Sequence, residues 1–174
     1  GSMTTVAQIA AETLGVNYFM YSTYAFATQV AIVAVDTATG RVEALKMIAA
    51  HDVGRAIHPH NIEGQLQGAC AIGLGTALWE RFRLRDGWNV TNSLRRTLIP
   101  DSCRIPEIVP VIVEDEEPTG PYGAKGIAEI AAIPSAAAVV NAITDAVGVE
   151  FNEIPVTRGR LLQALRRARS SVAV

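Results

Sequence analysis

Cysteine is nearly missing from this sequence: 174 residues carry two, Cys70 and Cys103. So few exclude a disulfide framework; both are expected to be buried small hydrophobes, and a reducing, cytoplasmic setting is favoured. Charge is scarce as well. Asp, Glu, Lys and Arg make up 18% of the chain, 15 basic against 17 acidic residues, for a net charge of −2 and a pI of about 5.9. A general nucleic-acid binder would carry a clear basic excess, so no nucleic-acid partner is expected. Long hydrophobic runs are also lacking: 49% of the residues are hydrophobic and mean hydropathy is +0.24, yet the longest runs, such as residues 30–35, are short. They fall far below the roughly 20 residues that cross a bilayer, so no membrane partner is expected. No basic segment followed by an apolar one marks a secretion signal, and Gly1-Ser2-Met3 reads as a tag remnant ahead of residues 4–174.

What the chain does have is apolar side chains in a short piece. A chain of this size buries roughly 70% of its unfolded surface, enough for one core and so one domain. The excess of apolar over charged residues suggests a surface that a partner covers.

Residues 4–14 have apolar positions at helical spacing before Gly15 and predict a short amphipathic helix. From Tyr24 the pattern becomes β-rich, broken at residues 36–40 (DTATG), which predicts two long antiparallel strands. With little polarity on either face of residues 30–35, the first strand is expected to be covered on both sides. Pro59 can open a helix that continues over residues 61–79 and holds Gly64, Gly68, Gly73 and Gly75. Each glycine costs about 1 kcal/mol relative to alanine there, so something must approach the backbone closely, either another element or a ligand. Gln65 projects over the face that Gly68 and Ala69 clear of bulk. Further on, residues 81–90 read as a strand ending in a turn at Asp86-Gly87, and residues 106–113 as a strand that Pro110 confines to an edge or an irregular course. Glu114 to Glu117 read as a solvated turn, residues 134–147 as a helix buried on nearly every face, and residues after Thr157 as a last helix. In that last helix Leu161, Leu162 and Leu165 face inward, with Arg166, Arg167 and Arg169 solvated. Strands and helices mixed without strict alternation give an α+β class, one mixed or antiparallel sheet with packed helices.

The segment from Gly120 to Glu129, GPYGAKGIAE, has the parts of a backbone cradle: three glycines and a lysine whose neighbouring amides can point at an anion or a polar ring. It lacks the spacing of a phosphate-binding P-loop. Glu129 is the only ionisable residue between Gly126 and Thr144. A carboxylate in such apolar company is either hydrogen-bonded structure or a general base with a raised pKa. His51, His58 and His60 invite a metal reading, but His-x6-His-x-His matches no familiar zinc spacing, and His58 beside Pro59 fits the turn that starts the helix. No nucleophile elbow and no dinucleotide fingerprint occurs.

Taken in order, His51-Asp52-Val53-Gly54-Arg55, Pro59, Glu63-Gly64-Gln65, Gly73-Leu74-Gly75, Gly123-Ala124-Lys125-Gly126 with Glu129, Asn141-Ala142-Ile143 and Asp145-Ala146 resemble a known pattern. It is that of the C-terminal part of the molybdenum-binding subunit in the xanthine dehydrogenase and aldehyde oxidoreductase (molybdenum hydroxylase) family. The likeness runs over nearly all of residues 24–165. It departs from the family where Ala128 and Ile130 flank the glutamate in place of glycine and proline, and where His58 replaces asparagine. The resemblance implies a C-terminal molybdopterin-binding domain. Gly64, Gln65, Gly123, Ala124, Lys125 and Gly126 would lie at a molybdenum–pterin cofactor (molybdopterin or its cytosine dinucleotide) shared with a missing part of the subunit. Glu129 would be the base that takes the proton of a molybdenum-bound hydroxyl, while an electron-poor carbon of an N-heteroaromatic, purine or aldehyde is hydroxylated with oxygen from water. The implied partners are the remainder of the molybdenum subunit, an iron–sulfur subunit with [2Fe–2S] clusters and a flavin subunit with FAD. The chain alone would be inactive. Other readings are a non-catalytic partner- or cofactor-binding module of the same ancestry and a small zinc-binding protein.

Overall fold

The computed structural model describes residues 23–172; the helix expected over residues 4–14 lies outside them. Strand β1 (Ala27–Asp36) turns back into β2 (Arg41–Asp52) in antiparallel register from Asp36 opposite Arg41 to Ala27 opposite His51. Asp36 builds the turn, its Oδ1 accepting from the Ala38 amide at 2.8 Å and its Oδ2 from the Thr39 hydroxyl at 2.6 Å. Gly40 closes the turn at φ +70°, where a Cβ would stand 2.7 Å from the Arg158 carbonyl oxygen.

After β2 the chain rises into helix α1 (Pro59–Leu78). Pro59 occupies its first turn and His58 caps it, Nδ1 accepting from the Asn61 amide at 3.2 Å. A small hairpin follows, β3 (Leu84–Arg85) and β4 (Trp88–Asn89), around Asp86 and Gly87, both at positive φ as a tight hairpin turn requires. Next come the single-turn α2 (Leu94–Thr97), the strand β5 (Glu107–Val113), and helices α3 (Ala132–Val147) and α4 (Arg158–Val172). β5 pairs parallel to β2, from Lys46 opposite Glu107 to Asp52 opposite Val113, giving the order β1-β2-β5. Pro110 thus sits on an edge strand, where its missing N–H costs no ladder bond.

The main core joins Met47 and Ala49 of β2, Cys70, Leu74 and Ala77 of α1, Val139 and Ile143 of α3, and Leu161 of α4. A second cluster, Val53, Ile62, Leu66, Ala69 and Ala131, fastens the start of α1 to the entry of α3.

Three expectations change. β1 is not covered on both faces: Ala31, Val33 and Val35 pack on the core, while Val30 and Ile32 remain 49% and 46% exposed, because the described helices cover one face of the sheet. Helix α3 is apolar nearly all round but buries only Ser135, Val139, Val140 and Ile143, leaving Ile133 in solvent. Cys70 is buried, whereas Cys103, in a single 3-10 turn after α2, is exposed. The acidic run and the three C-terminal arginines are solvated as expected, apart from a half-buried Glu117. Among the described residues no helix is long and apolar enough to cross a membrane.

Candidate functional site

The glycine-rich segment lies across the end of β2. Arg55 donates its amide to the Gly123 carbonyl at 2.8 Å, and Lys125 donates its own to Val53 at 2.9 Å. Gly54 makes the crossing possible: its φ is +62° and a Cβ there would stand 2.4 Å from the Gly123 oxygen. The Lys125 ammonium meets Asp52 Oδ2 at 2.5 Å, with both side chains 5% exposed, and Asp115 at 3.7 Å. Burial alone would raise the Asp52 carboxyl; the bond from Lys125 and the Gly54 amide on Oδ1 outweigh it and hold the carboxyl below its ordinary value. The same bond to Asp52 holds Lys125 above the ordinary lysine value.

The cradle is therefore displaced from where its composition suggested. The amides of Gly123, Ala124 and Lys125 are spent inside the chain, on Gly120, Pro121 and Val53. Those of Gly126, Ile127, Ala128 and Glu129 have no partner among the described residues, so the donors open to a ligand begin at Gly126.

Across from this loop runs the exposed face of α1. The four glycines divide. Gly73 and Gly75 are tight, a Cβ at Gly73 standing 2.2 Å from Ser135 Cβ and one at Gly75 2.2 Å from Glu80 Oε1, whereas nothing lies within 4 Å of a Cβ at Gly64 or Gly68. Packing explains the first two; the second pair is bare backbone on an open face. Gln65 stands between them, exposed, its Nε2 donating to the Ala128 carbonyl, while its Oε1 has no partner among the described residues. Between helix and loop is a groove of about 400 Å³, walled by Val53, Ile57, Ile62, Ile127, Gln65 and Ala128 among others. A larger hollow, about 840 Å³ beneath the β1–β2 turn, shares none of its residues and contains none of the site residues singled out from the sequence.

Glu129 follows directly on the groove-lining Ala128. Its side chain is exposed and has no partner among the described residues, so they do not supply the apolar company expected around it. The three histidines are not brought together. His51 is fully buried, His58 caps α1 and the His60 side chain is 91% exposed; among the described residues no cluster of His, Cys, Asp or Glu suits a metal ion.

Likeness to known proteins decides the family. Residues 17–106 match the family model described as the molybdopterin cofactor-binding domain. The chain belongs to that family. It is 34% identical over 150 residues to a probable xanthine dehydrogenase component from Bacillus subtilis, covering 86% of this chain and 20% of that protein. It is 32% identical to an aldehyde oxidoreductase molybdenum-binding subunit from Escherichia coli, covering 83% and 20%. The solved aldehyde oxidoreductase of Desulfovibrio gigas superposes with a TM-score of 0.76 at 31% identity, over 82% of this chain and 15% of that one. The chain thus spans about a fifth of the length of the curated relatives it matches.

Sequence reasoning passed over Gln29 and Ser135, and took Asp52 and His51 only as part of a motif, with His51 also weighed as a metal ligand; none was expected to bear on the Glu129 loop, yet Gln29 bonds Ala131, Ser135 and His51, and Asp52 bonds Lys125. Two signals were available. Asp52 is an acid that closes β2 after the apolar stretch Met47-Ile48-Ala49-Ala50 and His51, and Gln29 occupies an inward position of β1, in step with Ala31, Val33 and Val35. A polar side chain at an inward strand position needs a partner, and that partner is worth seeking.

Proposed function

We propose that this chain is the C-terminal cofactor-binding part of the molybdenum subunit of a molybdenum hydroxylase. In this reading Glu129 is its general base and substrates are N-heteroaromatics, purines or aldehydes. The observation that carries the reading is the seating of Glu129: it directly follows the carbonyl that Gln65 holds at the groove, beside bare helix backbone.

The residues present fit a molybdenum–pterin. A pterin ring offers N–H donors, and the Gln65 carbonyl is an unused acceptor; its polar edges and phosphate want donors, and four amides from Gly126 to Glu129 are uncommitted. Gly64 and Gly68 leave space for a flat group to lie close to α1. Gly123, Ala124 and Lys125 hold the loop in shape beneath it, Lys125 by its ion pair with Asp52. When bound, the cofactor supplies a two-electron redox centre at which an electron-poor carbon is hydroxylated with oxygen from water. Glu129 then takes the proton of the attacking oxygen on its carboxylate, and Gln65 fixes the loop and one edge of the ring. Because Glu129 is exposed among the described residues, exclusion of water is assigned to the remainder of the subunit, and the exposed β1 face with Val30 and Ile32 is surface for it to cover. Partner subunits carrying [2Fe–2S] clusters and FAD would supply the path for the electrons, in a cytoplasmic enzyme.

The test uses the assembled enzyme. Glu129→Gln is expected to abolish hydroxylation while molybdenum content stays near that of the parent. Normal turnover in that variant would sink the assignment and leave a non-catalytic cofactor-binding module.

A further inference from the structure

The loop that carries Glu129 has no regular secondary structure of its own from Lys125 to Glu129, and its side chains at Ala128 and Glu129 are exposed. Packing alone does not fix it. Beside the packing of Ile127 and Ala131, a pair of glutamine amides bonds it on the two sides of the glutamate. Gln65 of α1 donates to the carbonyl of Ala128, one residue before it, and Gln29 of β1 donates to the carbonyl of Ala131, two residues after it, at 2.8 Å.

Gln29 is itself held in one orientation. Facing a carbonyl oxygen, its nitrogen must be the atom directed at Ala131. Its Oε1 therefore points the other way and accepts from the Ser135 hydroxyl at 2.6 Å, a hydroxyl that also lies 2.6 Å from the Ala131 oxygen. The second Gln29 N–H meets His51 Nε2 at 2.8 Å. That nitrogen has to accept, so His51 is neutral with its proton on Nδ1, and Nδ1 is buried with no partner among the described residues. A charged His51 would turn an N–H toward an N–H and release the amide. Burial favours the neutral ring in the same direction.

We infer that Gln29 is a positioning residue for Glu129: it forms with Gln65 a two-point amide clamp on the carbonyls flanking the base, and Ser135 and His51 keep Gln29 in its donating orientation. The inference rests on the reading of Glu129 as base. A bound substrate or cofactor would press on an exposed loop, and a base displaced by about 1 Å can lose on the order of 100-fold in rate. A clamp drawn from two different elements, α1 and β1, resists sliding and tilting together.

Four variants in two settings test this. In the 174-residue chain, Gln29→Met should speed hydrogen exchange at the amides of Ala132 and Ile133, which bond to the Glu129 and Ile130 carbonyls, by 10-fold or more, with exchange in the centre of β2 unchanged. In the assembled, molybdenum-loaded enzyme the same variant should lower kcat by 10- to 100-fold with KM and molybdenum content near the parent values. Val33→Ala weakens the same strand through the core without touching the clamp, and should leave kcat and the Ala132 and Ile133 exchange as they were. If Gln29→Met does not fold, Ser135→Ala reads the same effect at smaller size, 3- to 10-fold in kcat, with the same local exchange. Parent kcat or unchanged exchange in the folded Gln29 variant overturns the clamp, as does an equal kcat loss in Val33→Ala. Glu129→Gln run alongside separates the two readings: an active Glu129→Gln enzyme removes the base assignment, whereas an inactive one beside a fully active Gln29→Met enzyme removes only the clamp.

Discussion

Gly68 and Gly73 lie about 7.5 Å apart along the axis of one helix, five residues at about 1.5 Å rise each, and should respond to alanine with opposite signs. In both Gly73→Ala and Gly68→Ala the helix gains about 0.8–1 kcal/mol of propensity. At Gly68 nothing else changes, because no atom lies within 4 Å of the new Cβ, so the chain should become more stable by about that amount. At Gly73 the new Cβ would stand 2.2 Å from Ser135 Cβ and 3.1 Å from the Ala132 carbonyl oxygen, both on the rigid first turn of α3. Carbon atoms pack at about 3.5–4.0 Å, so α1 and α3 must part by roughly 1.5 Å there. Overpacking of this kind costs about 1–3 kcal/mol, and a backbone-bound neighbour places it at the upper end, for a net loss of about 2 kcal/mol after the propensity gain. The two variants should thus differ by about 3 kcal/mol in urea unfolding and by roughly 6–12 °C in Tm. Equal stability of the two would refute the packing argument, and with it the claim that Gly73 sets the spacing between α1 and α3.

Two further outcomes follow from charge and exposure. Asp52 has its folded pKa held below the ordinary carboxylate value, so its pair with Lys125 contributes stability that is present above pH ~4 and is lost as pH falls through the folded pKa. The stability gap between the parent and Asp52→Asn should therefore be widest near neutrality and close on acidification; a gap that does not change with pH would contradict the pairing. For the thiols, a colorimetric titration of the native chain should count one fast group, Cys103, and release the second only in denaturant, since Cys70 is buried and burial raises its pKa. Two equally fast thiols would place Cys70 elsewhere.

Local chemistry was legible in the sequence wherever a residue acts on its immediate neighbours. The Asp36-to-Gly40 turn, Pro59 at the head of α1, the turn at Asp86-Gly87 and the edge position of Pro110 all depend on backbone angles or missing donors that residue type alone dictates. What failed depended on a second layer. Residues 30–35 read as doubly covered because both faces are apolar, but burial is decided by which helices arrive, and among the described residues they arrive on one side. Gly64 and Gly73 look alike in the sequence and differ only in whether α3 stands opposite. Motif order pointed to Glu129, Gln65 and the loop, which the fold brings to one groove, while the contacts of Gln29 and Asp52 were not foreseen because their partners lie more than seventy residues away.

That separation has a consequence for how the chain assembles. Lys125 reaches Asp52 across 73 residues, Gln65 reaches Ala128 across 63, and Gln29 reaches Ala131 and Ser135 across 102 and 106. Each contact closes a long loop, and the entropy of closure has to be met before the contact can reward it. The β1–β2 hairpin and α1 can form early from near neighbours, but the seat of Glu129 exists only once the first strand and the last third of the chain have met. The loop is then the last part to order and the first to open in local fluctuations. A newly made chain with its hairpin in place presents no seated Glu129 carboxylate, so an ordered loop there marks completed folding rather than its beginning.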